Sequence, residues 1–364
     1  MTDVRGRPFR WAILGTGSVA RKFVLDLRQL GAEAEAHIVA SRTPANAQSF
    51  ASSLGVAHVA QSYAEAASAD VDALYIATPP AQHEEHAMLG IAAGKAVLVE
   101  KPFARDAAAA ERIMQAARAA GVFCMEAMWT RFQPLPGQIR DRIAAGDLGD
   151  IRGFDGSFMA ANAPDPTSSL FDPARGGGAL MDRGVYPLSL ARYWLGPVTD
   201  AHATARIGDT GVDEDCTLML RHASGALSTL RASLRAGGLD GAAIYGTKAT
   251  LRIAGPAYRP TGAVLYRTHV GPAVTGPKGP RRLEGLRESA MGLRLSRGLA
   301  ALRLRGERLG APFSGNGYHY QARAVMQAVA AGRTEDPRMS LAESVEIMAM
   351  IDTARAGWSG EGTS

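Results

Sequence analysis

Between residues 9 and 125 the apolar positions alternate between short continuous runs and helical stripes. Residues 10–14 read as a buried strand, apolar from Trp11 to Leu14. In 18–30, Val19, Phe23, Leu27 and Leu30 recur at helical spacing. Strand-like runs return at 36–40, 71–77, 96–99 and 122–125. Helical segments lie between them at 44–54, 82–93 and 107–120. Pro44 stands where a helix tolerates proline, in its first turn, and Gly94 and Gly121 stand where a helix can close. Strand and helix in strict alternation predict a doubly wound parallel sheet.

The texture changes after Gly149. Alternating stretches at 151–158, 201–207, 216–221, 226–234 and 250–253 predict antiparallel strands, with turns at 223–225 and 245–247. One helix is expected at 180–195, and two more close the chain at 318–331 and 341–356. The fold class is therefore α/β. Residues 1–126 form a Rossmann domain, and 127–364 form an α+β domain on a largely antiparallel open sheet. The last two helices are free to pack back on the first domain.

Composition changes this picture in one place. The chain of 364 residues carries a net charge of +5, yet nine basic and three acidic residues fall between 278 and 308. That local +6 leaves the remainder at −1. Leu295, Leu299 and Leu302 recur within the stretch, so a solvated amphipathic insertion at about 271–312 is expected. It has no aromatic residues for base stacking, which argues against nucleic acid. Cys124 and Cys216 have no metal-ligand spacing and are expected to be buried apolar residues. With no signal-like or membrane-length apolar run, a cytoplasmic protein with no membrane partner is expected.

The chemistry sits at strand ends. Gly15-Thr16-Gly17-Ser18-Val19-Ala20 follows the first strand and opens the first helix. In that context the pattern predicts a pyrophosphate held at a helix N-terminus, the competing reading being an ordinary strand–turn–helix. An NAD-binding site would place Asp or Glu after the second strand; here stand Ser41 and Arg42. Arg42 can pair with a 2′-phosphate, so NADP(H) is the expected cofactor. Thr78-Pro79 and Glu100-Lys101 follow two further strands at the carboxyl edge of the sheet, where ligands bind. These four and His83 complete the expected cofactor site. Lys101 so placed can stabilise an alkoxide; a solvated lysine is the alternative. Asp182 and Tyr186 lie four apart in a helical segment behind Gly176-Gly177-Gly178. They could handle a proton together, or be a cap and a core residue.

Together GTGSVA (15–20), ATPP (77–80), EKPF (100–103), GGGALMDRGVY (176–186) and the late PRMSLAESVEIM resemble the Gfo/Idh/MocA oxidoreductase family. MEAMWTRF (125–132) and Gly315-Asn316-Gly317-Tyr318 are most similar to its branch of dimeric dihydrodiol dehydrogenase and NADP-dependent D-xylose dehydrogenase. The resemblance implies that Lys101, Asp182 and Tyr186 are catalytic. Tyr186 would exchange the proton, with Lys101 lowering its pKa and Asp182 orienting the pair. It implies a substrate pocket at Trp129, and Arg131, Phe158 and Arg183 are expected to line it too. The implied reaction is hydride transfer between nicotinamide and a hydroxyl or carbonyl carbon of a sugar, cyclic polyol or vicinal diol, in a homodimer or higher homo-oligomer. Arg183 stands where the family pattern has an apolar residue. The other class of reading is a non-catalytic NADP(H)-binding sensor or partner-binding module on the same fold.

Overall fold

The computed structural model describes residues 7–268, 289–291 and 306–358. Most of the basic stretch 278–308 lies outside them. The first sheet has six strands: β1 (Phe9–Leu14), β2 (Ala34–Ala40), β3 (His58–Val59), β4 (Ala73–Ile76), β5 (Ala96–Glu100) and β6 (Cys124–Ala127). They run parallel in the order β3-β2-β1-β4-β5-β6. Strands β4, β5 and β6 are buried along their whole length, the reason each reads as a continuous apolar run. Helices α1 (Ser18–Leu27), α2 (Pro44–Leu54), α3 (Tyr63–Ser68), α4 (His83–Ala92) and α5 (Ala107–Ala120) accompany the sheet. The strand order reverses between β1 and β4, and a ligand crevice opens there beyond their carboxyl ends.

A helix α6 (Pro134–Ala144) leads to the second sheet. Its strands are β7 (Ile151–Met159), β8 (Val198–Ile207), β9 (Asp213–His222), β10 (Leu227–Ser233), β11 (Ala242–Gly246), β12 (Ala249–Ile253), β13 (Gly262–Arg267) and β14 (Glu307–Gly310). Their order is β14-β13-β12-β11-β7-β10-β9-β8. All neighbours are antiparallel except β7 and β10, which run parallel at the centre. One face packs on α7 (Val185–Leu195), where Phe154 of β7 meets Trp194 edge-on. The other face leaves Met219, Leu227 and Tyr245 exposed.

The last two described helices, α8 (Tyr318–Ala330) and α9 (Leu341–Trp358), return to the first domain, α8 against α1 and α9 against α5. Asp352 of α9 accepts from the N–H of Ala107, the first residue of α5 (2.7 Å). Cys124 and Cys216 are buried and free, and burial pushes the Cys124 thiol up to about 12. Among the described residues no helix is long and apolar enough to cross a membrane.

Two expected helices differ, and six elements were not anticipated. The helix expected over 18–30 ends at Leu27, and the chain then tightens into a 3₁₀ segment containing Gly31 at φ 58°. The helix expected over 180–195 begins as a π turn, Leu180–Gly184, and becomes α-helical only at Val185. The short elements β3, α3, α6, β11, β13 and β14 have too little periodicity of their own and form on tertiary pairing.

Candidate active site

At the carboxyl end of β1 the backbone must turn against β4. Gly15 takes φ +106°, and a Cβ there would stand 2.5 Å from the Ala77 carbonyl oxygen. Only glycine fits. At Gly17 a Cβ would meet nothing within 4 Å. This exposed glycine is the N-cap of α1, with no side-chain cap and no acid in the first turn. A helix N-terminus so placed carries partial positive charge towards the crevice. The residues therefore fit a pyrophosphate. Thr16 donates to Ser41 Oγ (3.3 Å), linking this turn to the end of β2. Arg42 is exposed at that end, and its backbone N–H donates to the Tyr63 hydroxyl (2.9 Å).

Lys101 follows β5. Its Nζ donates to the backbone carbonyl of Asp182 (2.7 Å) and to Asp182 Oδ1 (3.0 Å). It also lies 5.0 Å from the Tyr186 ring centroid. The π turn explains why the Asp182 carbonyl is available. In the π register its partner would be the N–H five residues on, and that residue is Pro187. Burial alone would lower the Lys101 pKa, but Asp182, Tyr186 and Glu100 more than offset it and hold the ammonium charged.

Tyr186 is 7% exposed. Its hydroxyl oxygen accepts from Trp129 Nε1 (3.0 Å). An indole N–H can only donate, so the phenol proton stays free for another acceptor. Burial pushes Tyr186 up to about 12, although Lys101 and the Trp129 hydrogen bond both pull it down. This corrects the expectation of a lowered pKa: desolvation outweighs the cation.

Around Tyr186 stands an aromatic wall. Tyr318 stacks on Trp129 (4.7 Å between centroids, 13°), and Tyr258 stacks on Phe158 (4.1 Å, 18°). Phe158 and Tyr258 lie 5.5 and 5.8 Å from the Tyr186 ring. Trp129 and Phe158, expected to line the substrate pocket, thus lie beside Tyr186. Tyr258 and Tyr318 were missed as site residues; Gly315-Asn316-Gly317-Tyr318 was the available signal for the second.

Asp213 supports the π turn that carries Asp182. Its Oδ2 accepts from the Leu180 N–H (2.7 Å), and a Cβ on Gly178 (φ +120°) would fall 2.1 Å from its Oδ1. The glycine triplet is thus required by packing within the chain.

Four expected ligand contacts are corrected. Arg131 is enclosed, its side chain 0% exposed. It donates to Ser189 Oγ (2.8 Å), the Ser189 carbonyl (2.7 Å) and the Arg338 carbonyl (2.9 Å), and pairs closely with Glu343. Four of its five N–H donors are taken within the chain, and the side chain is enclosed away from the crevice. Arg183 donates to the carbonyls of Ala160 and Ser233 and to Asn162 Oδ1, its Nε lies 3.6 Å from Asp182 Oδ2, and its guanidinium sits over the Phe158 ring. His83 is fully buried, its ring nitrogens 2.8 Å from the Thr78 carbonyl and 3.0 Å from that of Pro102. Burial lowers it to about 4, so the ring is neutral and donates to only one of these two carbonyls. Glu100 turns inward to the Tyr75 hydroxyl and the Lys101 N–H (3.2 Å), and burial pushes it up to about 7. Thr78 is buried as well, with Oγ1 2.9 Å from His86 Nδ1.

A dinucleotide crevice facing a lysine, a carboxylate and a phenol defines a nicotinamide-dependent oxidoreductase. Residues 9–128 match the model for "Oxidoreductase family, NAD-binding Rossmann fold", and 137–252 match the "GFO/IDH/MocA C-terminal domain". The chain belongs to the Gfo/Idh/MocA oxidoreductase family. It is 30% identical over 351 residues to trans-1,2-dihydrobenzene-1,2-diol dehydrogenase of Sus scrofa, covering 95% of this chain and 96% of that one. It is 32% identical over 301 residues to D-xylose 1-dehydrogenase (NADP(+)) of Hypocrea jecorina, covering 72% and 77%. The fold is shared with KijD10, a 3-ketoreductase of Actinomadura kijaniata solved with NADP and TDP-benzene (TM-score 0.76, 24% identity, 96% and 98% covered). It is also shared with levoglucosan dehydrogenase (TM-score 0.79, 19% identity, 96% and 98% covered).

Proposed function

We propose that this enzyme uses NADP(H) to interconvert a secondary hydroxyl and its carbonyl on a cyclic sugar, polyol or vicinal diol. The observation that carries the reading is the arrangement of Lys101 Nζ on Asp182 and beside the Tyr186 ring, with the Tyr186 proton left free by Trp129. Gly15, Thr16, Gly17, Ser18, Val19 and Ala20 would hold the pyrophosphate, with Thr78 and Pro79 flanking the crevice. Ser41 and Arg42 would take the 2′-phosphate. The nicotinamide, when bound, supplies or accepts the hydride.

The rest is the work of this chain. Tyr186 is a neutral phenol at working pH and gives its proton to the oxygen of a carbonyl being reduced. Two Lys101 N–H groups are held by Asp182, and the third is free to stabilise the developing oxyanion. In oxidation the Tyr186 phenolate takes the proton from the hydroxyl and returns to the neutral phenol. The aromatic wall of Trp129, Phe158 and Tyr258 suits the C–H face of a ring, and excludes water from the proton transfer. The exposed face of the second sheet, with Met219, Leu227 and Tyr245, is read as the homodimer contact.

The test is NADP⁺ and NAD⁺ reduction by the purified protein across aldoses, cyclic polyols and trans-diols, beside Tyr186→Phe and Lys101→Met. The reading expects turnover with NADP⁺ that both variants lose. Turnover that survives in both, or none on any substrate by a protein that binds NADPH, overturns it.

A further inference from the structure

Helix α8 has no N-cap of its own. Its N-cap position is Gly317, at φ +100° and with no side-chain hydrogen bond. The cap comes from the other domain. Asp26, near the end of α1 and 1% exposed, reaches across and accepts from the backbone N–H of Asn316 through both oxygens (2.9 Å each). It also accepts from Asn316 Nδ2 (3.2 Å) and from the N–H of Tyr318, the first residue of α8 (2.8 Å). His319 Nδ1 stands 3.7 Å from the same carboxylate. Gly315, at φ +69°, allows the close approach, since a Cβ there would lie 2.7 Å from Asp26 Oδ1. Ser314 adds a bond to Gln29 (2.8 Å). A carboxylate at a helix N-terminus, bonded to several N–H groups, is held firmly in place.

The residue so fixed is Tyr318, whose ring stacks on Trp129, whose N–H in turn holds the Tyr186 oxygen. A continuous series of contacts thus runs from the first cofactor-domain helix to the proton carrier. We infer that Asp26 is a positioning residue for the reaction: through Tyr318 it sets Trp129, and through Trp129 the Tyr186 hydroxyl. The inference rests on the proposed role of Tyr186. Displacing a catalytic group by about 1 Å can cost about 10²-fold in rate.

Asp26→Asn keeps the size of the side chain and turns one acceptor into a donor facing N–H groups. Trp129 is isolated spectroscopically as the emission lost on Trp129→Phe. That emission should shift in Asp26→Asn, and NADPH affinity should stay close to wild type. With D-xylose or trans-1,2-dihydrobenzene-1,2-diol as probe, kcat should fall by ~10–10²-fold. Asp26→Asn combined with Trp129→Phe should lose no more than the worse single variant. Unchanged Trp129 emission, or losses that multiply, overturns the inference. Tyr318→Leu leaves the Asp26 bonds to backbone intact and removes the stack; it must reproduce the emission change even if Asp26→Asn does not fold, and failure to do so also overturns it. Tyr186→Phe separates the two readings. If it retains kcat, the proton-carrier role falls, while the emission and the double-variant comparison still decide whether Asp26 acts through Trp129.

Discussion

The protonation state of Tyr186 is the sharpest consequence of the site. Burial raises its pKa from the ordinary 10.0 to about 12, with Lys101 and Trp129 offsetting only part of the rise. A raised pKa means the phenol is kept neutral to higher pH. At pH 8 only about one molecule in 10⁴ of the free enzyme then carries phenolate, against about one in 10² for an unperturbed tyrosine. The site is therefore poised to give a proton. Ultraviolet difference titration of wild type against Tyr186→Phe, without cofactor, isolates this one phenolate. Its signal should be absent below about pH 10. Lys101→Met removes the cation that lowers the pKa, so the onset should move further up. In carbonyl reduction by NADPH, Tyr186→Phe should lower kcat by ~10²–10⁴ and leave NADPH affinity close to wild type. A limb near neutral pH would come from the buried carboxyls, Glu100 and Glu126 pushed up to about 7 and Asp213 to about 6, and should persist in Tyr186→Phe. A phenolate signal with a midpoint below 10 would refute the argument that burial outweighs Lys101.

Three further outcomes follow from the geometry. Arg42→Ala should weaken NADPH by ~1.5–3 kcal/mol and barely change NADH, read by fluorescence titration; equal losses would remove the 2′-phosphate from Arg42. Arg131→Met should destabilise by about 3–5 kcal/mol in urea unfolding, because it strips donors from the Ser189 and Arg338 carbonyls and breaks the Glu343 pair, while KM holds. A raised KM at unchanged stability would instead make Arg131 a substrate ligand. Gly178→Ala should lose about 1–3 kcal/mol and lower kcat, since its Cβ would displace Asp213 from Leu180. Thermal unfolding with the kinetics checks both.

The parts legible in the sequence were those whose signal is local. Helix α2 is read because Pro44 starts it, and the structure closes it at Gly55, φ 69°. Strands β4 and β5 are read because burial on both faces makes each a near-continuous apolar run. Lys101, Asp182 and Tyr186 were legible as motif residues at strand and helix ends, and the structure brings them together. What was not legible depends on partners remote in the chain. Arg131 looks like a ligand by residue type, and only Glu343, 212 positions on, shows that it is internal. His83 and Glu100 sit beside ligand-binding loops in sequence but point inward. For Tyr186 the sequence shows the neighbouring cation but not the enclosing rings, so the sign of its pKa shift could not be read. The π turn needs Pro187 to be placed in register with Asp182, which helical periodicity alone cannot do.

The return of α9 to α5 also has a consequence in time. Ala107, at the start of α5, is held by Asp352, and Arg118, near its end, pairs with Glu335. Nothing in the first 126 residues supplies those partners. At about 5–20 residues per second, a ribosome needs roughly 12–48 s to travel from the end of α5 to the end of α9. Throughout that interval the nascent cofactor domain shows an uncovered helix face. The interval is long enough for a chaperone to bind there, and the domain is completed only once synthesis has passed Trp358.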